Sequence, residues 1–237
     1  MPLPCTDISL PDIQTIPTQT SPSSLDDFCL ILQPLDVENE VLLYETIADK
    51  NGKDLKYWAI LEADESPIAV CELEKYADYA AKKAQWSGKR ADYLIIGSHQ
   101  SDCYLVVVEL RHVLVKEEQE DKKFEQLRKS IEQIIQYREV IRNSQSLEQV
   151  YHDPDSYKIL GVIIAPANTK KFNRRELNPV YQINSHKVLI RTLPRDALSD
   201  CKITWADFIQ RMGVPRDPRT GQTYSEFAIP PLEETQK

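Results

Sequence analysis

The stretch ADYLIIG (91–97), SHQSD (98–102) and CYLVVVELR (103–111) decides the reading of this chain. Two runs rich in strand-forming residues flank a short polar segment, the pattern of an antiparallel hairpin. The second run is a buried-type strand that ends in two charges, Glu109 and Arg111, which share a face because they are two residues apart. With the turn centred between Gln100 and Ser101, cross-strand partners sum to 201 and Asp92 falls opposite Glu109. Carboxylates so placed have Cβ atoms about 5 Å apart and repel each other. Burying an unpaired charge is also costly. A divalent cation removes both difficulties, and oxygen ligands with open positions suit Mg²⁺ or Mn²⁺. Such an ion activates water and stabilises charge on a phosphate, and Arg111 adds a fixed cation beside it. The plain alternative is a strand end reaching solvent, with Glu109 and Arg111 paired side by side.

Outward from the hairpin, residues 118–142 carry an apolar stripe of Phe124, Leu127, Ile131, Ile134, Ile135 and Ile141, which predicts a long amphipathic helix. SYKILGVIIAP (156–166) is apolar at both parities and reads as a buried strand; HKVLIRTL (186–193) reads as another. TWADFIQRMG (204–213) predicts a short helix with Thr204 as N-cap and Gly213 past its end. On the other side, Leu73, Ala77, Ala80 and Ala84 recur at helical spacing within 71–86, and Gly88 stops that helix. VLLYETIA (41–48) and LKYWAILEA (55–63) flank the turn sequence DKNGKD and predict a hairpin. Residues 1–25 hold five of the fifteen prolines and read as an extended arm without regular structure. The expected organisation is an arm at 1–27, strands at 28–70 packing on a core at 71–193, and a helix with a proline-rich tail at 194–237. The fold class is α/β, a mixed sheet flanked by helices with an N-terminal β-hairpin extension.

The 237 residues contain only 6 glycines, too scattered for a dinucleotide fingerprint, a Walker A loop or a nucleophile elbow. Any catalysis must therefore come from side chains. The formal net charge is −8, but residues 1–80 hold 16 acids against 4 bases, while residues 81–237 hold 21 against 25. Basic runs occur at Lys82, Lys83, Lys89 and Arg90, at Lys122, Lys123, Arg128 and Lys129, and at Lys170, Lys171, Arg174 and Arg175. Each alone reads as a solvated face; together they fit a polyanion site with an acidic flank. The cysteines, Cys5, Cys29, Cys71, Cys103 and Cys201, are odd in number, lack a C-x-x-C pair and fit neither a disulfide framework nor a zinc ribbon. A reducing cytoplasm is the expected compartment, and no apolar run near 18 residues predicts a membrane span. A site built from His99, Cys103 and His112 is weighed against surface histidines and a buried thiol, and the latter reading is preferred.

The run RAD92…VVVE109LR111, followed by an amphipathic helix and a buried strand, resembles the PD-(D/E)XK nuclease superfamily, over roughly Cys71 to Leu193. The resemblance implies a restriction-endonuclease-like core, with Asp92 and Glu109 as ligands of Mg²⁺ (or Mn²⁺) and Arg111 as the third catalytic residue. Gln133 and Tyr137 match the Q-x-x-x-Y element of the RecB-like branch, where these residues help hold nucleic acid. Ala91 stands where the family often has proline, and Arg111 stands where it usually has lysine; arginine cannot serve as a base near neutral pH. Lys122 or Lys123 could supply a relocated lysine, which makes Lys122 a nucleic-acid-binding candidate. Glu72 and Glu74 both qualify as an assisting upstream acid. The family also has a strand between the first helix and the Asp strand; either the helix is shorter than read, or Leu55 to Glu62 supplies that strand. The implied function is a metal-dependent DNA endonuclease, acting alone, as a homodimer or with a protein partner. The alternatives are a catalytically inactive scaffold of the same fold, and an unrelated α/β protein.

Overall fold

The computed structural model describes residues 5–7, 9–48, 52–83, 86–88, 90–112, 122–136, 138–144, 146–150, 157–166, 180–183 and 186–213. Strands β6 (Tyr93–His99) and β7 (Asp102–Leu110) form the expected hairpin, numbered after five earlier strands: β1 (Thr6–Asp7), β2 (Cys29–Leu32), β3 (Glu40–Ala48), β4 (Asp54–Glu62) and β5 (Ile68–Glu72). Pairing runs from His99↔Asp102 to Tyr93↔Val108, so partners sum to 201, as the turn position requires. Gln100 closes the two-residue turn at φ 55°. Successive side chains point to opposite faces of the sheet. Tyr93, Ile95, Val106, Val108 and Leu110 lie in one core cluster. Leu94, Ile96, Leu105 and Val107 lie in the other. Each buried Val, Leu or Ile contributes about 1.5–3 kcal/mol. A hairpin apolar at both parities therefore sits in the middle of a sheet covered on both faces.

After the hairpin come α2 (Lys122–Gln136), α3 (Arg138–Arg142), β8 (Lys158–Ala165), β9 (Val180–Ile183) and β10 (His186–Pro194). β8 lies parallel to β7 because α2 carries the chain back across the sheet, the connection that parallel pairing needs. β10 lies parallel to β8, and the seven-stranded mixed sheet has the order β2-β5-β6-β7-β8-β10-β9. α1 (Leu73–Lys82) and α2 cover one face through Leu73, Ala77, Ala80, Leu127, Ile131 and Ile134. The other face packs on a second sheet in which β4 pairs with β3, β1 and β11 (Lys202–Thr204). α4 (Trp205–Met212) lies on that side too, with Thr204 Oγ1 accepting from the Asp207 amide at 3.3 Å and Gly213 at its C-cap, as expected. The result is a mixed α/β fold whose central sheet is flanked by helices.

Several expectations change. Ile68–Glu72 form β5, fully buried between β2 and β6, so Cys71 and Glu72, read as the start of the helix, belong to a strand. This strand is the neighbour of the Asp92 strand; the helix is shorter than read, Leu73–Lys82, and Leu55–Glu62 belongs to β4 in the other sheet. α1 follows β5 in the chain. The 118–142 helix is α2 and α3, with 118–121 and 137 outside the described residues. The arm is docked: β1 pairs with β4, the Gln14 carbonyl accepts from the Leu42 amide at 2.9 Å, and Ile16 is buried.

Cysteine pairing also differs from expectation. Cys29 and Cys71 face each other across β2 and β5 and are joined in a disulfide, and Cys5 is joined to Cys201. The second bond links residues whose carbonyls accept from Trp58 and Ile60, so it ties two segments on the same edge of β4. Pairing across 42 and 196 residues leaves no local spacing signal. It also takes away the argument from free thiols to a reducing compartment. Thiol titration in denaturant without reductant is expected to find one reactive group per chain, Cys103; five would show that neither bond forms. Among the described residues, no helix is long and apolar enough to cross a membrane.

Candidate functional site at one end of the central sheet

Parallel and antiparallel pairing together bring the C-terminal ends of β5, β7, β8 and β10 to the edge where β6 begins. In register, Glu72 pairs with Tyr93, Glu109 with Ile163, and Pro194 with Ala165. Arg111 follows β7, its amide donating to the Ile164 carbonyl at 2.8 Å, and Arg195 follows β10. Of the six buried charged residues among the described ones, five stand in this row: Glu72, Asp92, Glu109, Arg111 and Arg195. The sixth, Arg191, donates to the Arg211 carbonyl at 2.7 Å. Buried charge is avoided unless something compensates it, so its concentration at one sheet end marks that end as the site. Open α/β sheets place ligand sites beyond the carboxyl ends of strands for the same geometric reason.

Asp92 sits one residue before β6 and opposite Glu109 by register, but the ladder slips there. Its amide donates to the Val108 carbonyl at 3.1 Å, and its Oδ2 accepts from the Leu110 amide at 2.6 Å. The carboxylate thus takes the place of a backbone acceptor at the strand end. Glu109 is 0% exposed and its Oε2 accepts from Gln126 Nε2 at 3.2 Å. Each of the two acids accepts a hydrogen bond that helps orient it.

The segment leading to Asp92 is held by one stripe of α2, which sequence reasoning missed. Gln133 Oε1 accepts from the Ser87 amide at 3.3 Å, Ser130 Oγ accepts from the Ala91 amide at 2.7 Å, and Gln126 Nε2 also donates to the Arg90 carbonyl. The spacing of four and three places all three on one helix face beside the apolar stripe Leu127, Ile131 and Ile134. That polar stripe was the available signal. Gln133, predicted from the Q-x-x-x-Y element, therefore contacts the protein's own backbone. Tyr137 lies outside the described residues, and so does the side chain of Lys122, the first residue of α2. Of the basic runs, Arg128 and Lys129 pair with Glu132 and Glu125 of their own helix. Lys89, Lys170, Lys171, Arg174 and Arg175 lie outside the described residues. His99 and Cys103 flank the turn, the full length of β7 away from His112, so these three form no common site.

Burial raises the Glu72 carboxyl above its ordinary range, opposed by Lys75 Nζ at 2.7 Å. Glu74, in the first turn of α1, is exposed and donates its amide to the Asp92 carbonyl at 3.4 Å. Burial also pushes the Tyr93 hydroxyl well up, with Asp92 and Glu72 adding to it; the phenol stays neutral and exchanges hydrogen bonds with the Tyr44 amide and carbonyl. A carboxyl with a raised folded pKa binds its proton more tightly in the folded state. Its contribution to stability is full below the ordinary value of 4.5 and is lost as pH rises through the folded pKa. In Glu72→Gln that loss is absent. Urea titrations are expected to show the variant gaining on the wild type as pH rises above 4.5; a constant difference would mean that burial of Glu72 does not govern it.

Comparison with protein-family models, with curated proteins and with solved structures gave no match. Among the described residues, no group of three or more His, Cys, Asp or Glu side chains is placed to hold a metal ion. The site offers a pair of carboxylates at its centre and two arginines beside it.

Proposed function

We propose that this protein is a metal-dependent endonuclease that hydrolyses DNA phosphodiester bonds from a restriction-endonuclease-like core. The observation that carries the reading is the row of buried charge, with Asp92 and Glu109 each one residue beyond the pair Tyr93↔Val108 at its centre and Arg111 following on the same strand end. The order β5-β6-β7-β8, antiparallel twice and then parallel across α2, supports it; the position of α1 after β5 is a departure. A two-carboxylate set fits Mg²⁺, which keeps several waters and binds through one or two carboxylates plus substrate phosphate. Asp92 and Glu109 would hold the ion, which when bound supplies charge for the phosphate oxygens and an acidified water. Leu110 N–H and Gln126 orient the two carboxylates. Arg111 steadies negative charge on the reacting phosphate and does not take a proton.

A second reading, a non-cleaving scaffold that binds nucleic acid or protein, is favoured by two features. Glu109 has no exposed surface, and among the described residues no third His, Cys, Asp or Glu joins Asp92 and Glu109 in a group placed to hold a metal. One assay separates them: purified protein with supercoiled plasmid and with single-stranded oligonucleotide, in Mg²⁺, Mn²⁺ or EDTA. Metal-dependent nicking supports the nuclease. Retention of DNA without nicking supports a nucleic-acid scaffold, and neither binding nor nicking removes the nuclease and the nucleic-acid scaffold and leaves the protein-binding one.

A further inference from the structure

The bond between Cys5 and Cys201 joins two backbone positions that suit glycine better than cysteine. Cys5 has φ 57° and Cys201 φ 63°, in the left-handed region where a Cβ is disfavoured. Cys201 and Asp200, at φ 50°, are the central residues of a tight turn closed by the Ser199↔Lys202 bridge. The Lys202 amide donates to the Ser199 carbonyl there at 2.9 Å. Two-residue turns with both central residues left-handed favour Asn-Gly or Asp-Gly, and cysteine stands in the glycine place. Backbone strain of this kind persists where the surroundings over-determine it, and it clusters at functional and switch segments. What the two positions share is the bond between them.

The two halves it joins are held unequally. The Cys5 carbonyl accepts from the Trp58 amide at 3.0 Å and the Cys201 carbonyl from the Ile60 amide at 2.8 Å, so each half fills its own donor on β4. On the Cys201 side, β11 pairs with β4 over three residues and runs straight into α4, whose Trp205 is fully buried. On the Cys5 side, β1 pairs with β4 over two residues, and the chain is tied again at Gln14 and Ile16. Terminal segments stay ordered where something ties them down, and here the bond is the strong tie. Thr6 is the cross-strand neighbour of Tyr57 and shares its face. The Tyr57 ring in turn supports the Arg195 guanidinium, 5.0 Å away, and the His112 ring, 5.7 Å away. Arg195 belongs to the buried row and His112 follows Arg111, so the arm backs one side of the candidate site. Cys201 is partly exposed, whereas Cys71 of the other disulfide is 0% exposed inside the central sheet.

We infer that the Cys5–Cys201 bond is a redox latch, opened by a dithiol reductant, that holds the amino-terminal arm on β4 and so regulates the sheet end behind Tyr57. A thiolate of the reductant attacks the Cys201 sulfur, the S–S bond breaks, and Cys5 leaves as thiolate. The reductant's second thiolate attacks its own sulfur in the mixed disulfide, and Cys201 leaves as thiolate. Two electrons pass to the protein, the reductant ends as a cyclic disulfide, and the two cysteines take up the protons its thiols lost. The arm then leaves β4 as far as Gln14, and Tyr57 loses its cover. The latch does not rest on the nuclease reading; its effect on cleavage does. Protein oxidised with glutathione disulfide is compared with the same protein in dithiothreitol. Alkylation and mass spectrometry are expected to label Cys5 and Cys201 before Cys29 and Cys71; the reverse order, or no Cys5–Cys201 bond after oxidation, would overturn the latch. Reduction is expected to speed hydrogen exchange at the Trp58 amide by about tenfold or more, because local opening sets exchange. The Ile60 amide is expected to stay protected, since β11 keeps its own pairing. Cys201→Gly puts glycine where the turn favours it and removes the bond, so Trp58 should exchange fast and Ile60 slowly in both conditions. Equal Trp58 exchange in the oxidised, reduced and Cys201→Gly proteins would show that the arm is held without the bond. Plasmid nicking is expected to slow by about tenfold on reduction, the scale of a modest misplacement near a site. Fast Trp58 exchange with no nicking in either form sinks the nuclease and keeps the latch; fast exchange with equal nicking in both forms overturns its regulatory role and keeps the nuclease.

Discussion

Glu109→Gln is expected to reduce Mg²⁺-dependent plasmid nicking by about a thousandfold, the scale on which removal of one group that stabilises developing charge is felt. Asp92→Asn is expected to match it, because both carboxylates serve one ion and groups acting as a unit are not additive. The double variant should therefore lose little beyond either single one. Stability should move the other way. Glu109 is fully buried, and glutamine fills the same volume and still accepts from Gln126 without a charge to desolvate. A gain of about 1 kcal/mol is the expected scale. Gel assays of nicking and urea denaturation of the same preparations check both halves. Nicking that persists at the wild-type rate in either variant, still abolished by EDTA, would place the chemistry elsewhere.

The largest effect on folding is expected at the opposite end of the sheet. Trp205 is fully buried, its Nε1 donates to the Ser98 carbonyl at 2.8 Å, and its ring stacks on Phe208 with centroids 6.0 Å apart. A Cβ on Gly97 would meet its indole carbons at 3.1 Å, so glycine at that position is what lets α4 lie against β6. Trp205→Ala is expected to cost about 3–5 kcal/mol, the range for emptying an aromatic site in a core. Against a typical total of about 5–15 kcal/mol this is a large share. Trp205→Phe keeps the stacking and removes one of two donors to the Ser98 carbonyl, which still accepts from Ser66 Oγ, a cost of about 0.5–1.5 kcal/mol. The expected signature is a lower urea midpoint at unchanged slope. Ser98 and Asp92 stand at opposite ends of β6, about 20 Å apart. Activity per folded molecule should therefore be unchanged in Trp205→Ala, whereas Glu109→Gln loses activity in a stable fold. A Trp205→Ala loss below about 1 kcal/mol would mean that α4 is not part of the core.

The hairpin was legible because its information is local. Strand propensity, a two-residue turn and the period of two together determine register, and a slip of one residue would have turned every side chain to the wrong face. α4 was legible for a similar reason, since Thr204 and Gly213 bracket its apolar stripe. β5 was not, because the four consecutive apolar residues Ile68–Cys71 leading into a helical pattern carry no period that separates strand from helix. Its identity comes from partners on both sides, β2 and β6, which are remote in the chain. The two disulfides are hidden in the same way, since Cys29 and Cys71 meet only when β2 pairs with β5, and Cys5 and Cys201 only when their segments both dock on β4. Gln126 and Ser130 looked like ordinary polar helix positions, and their use in holding 90–91 depends on how α2 lies on the sheet.

Residues 91–111 determine by themselves that a carboxylate just before one strand and a carboxylate near the end of the next come to the same end of the hairpin, because hairpin pairing follows from chain geometry over twenty residues. Only the tertiary structure decided that this strand end is buried, that Glu72 and Arg195 join it from distant segments, and that Arg195 enters the fold without a hydrogen-bond partner. Burial is a property of what other parts of the chain cover, and no local pattern in the sequence contains it.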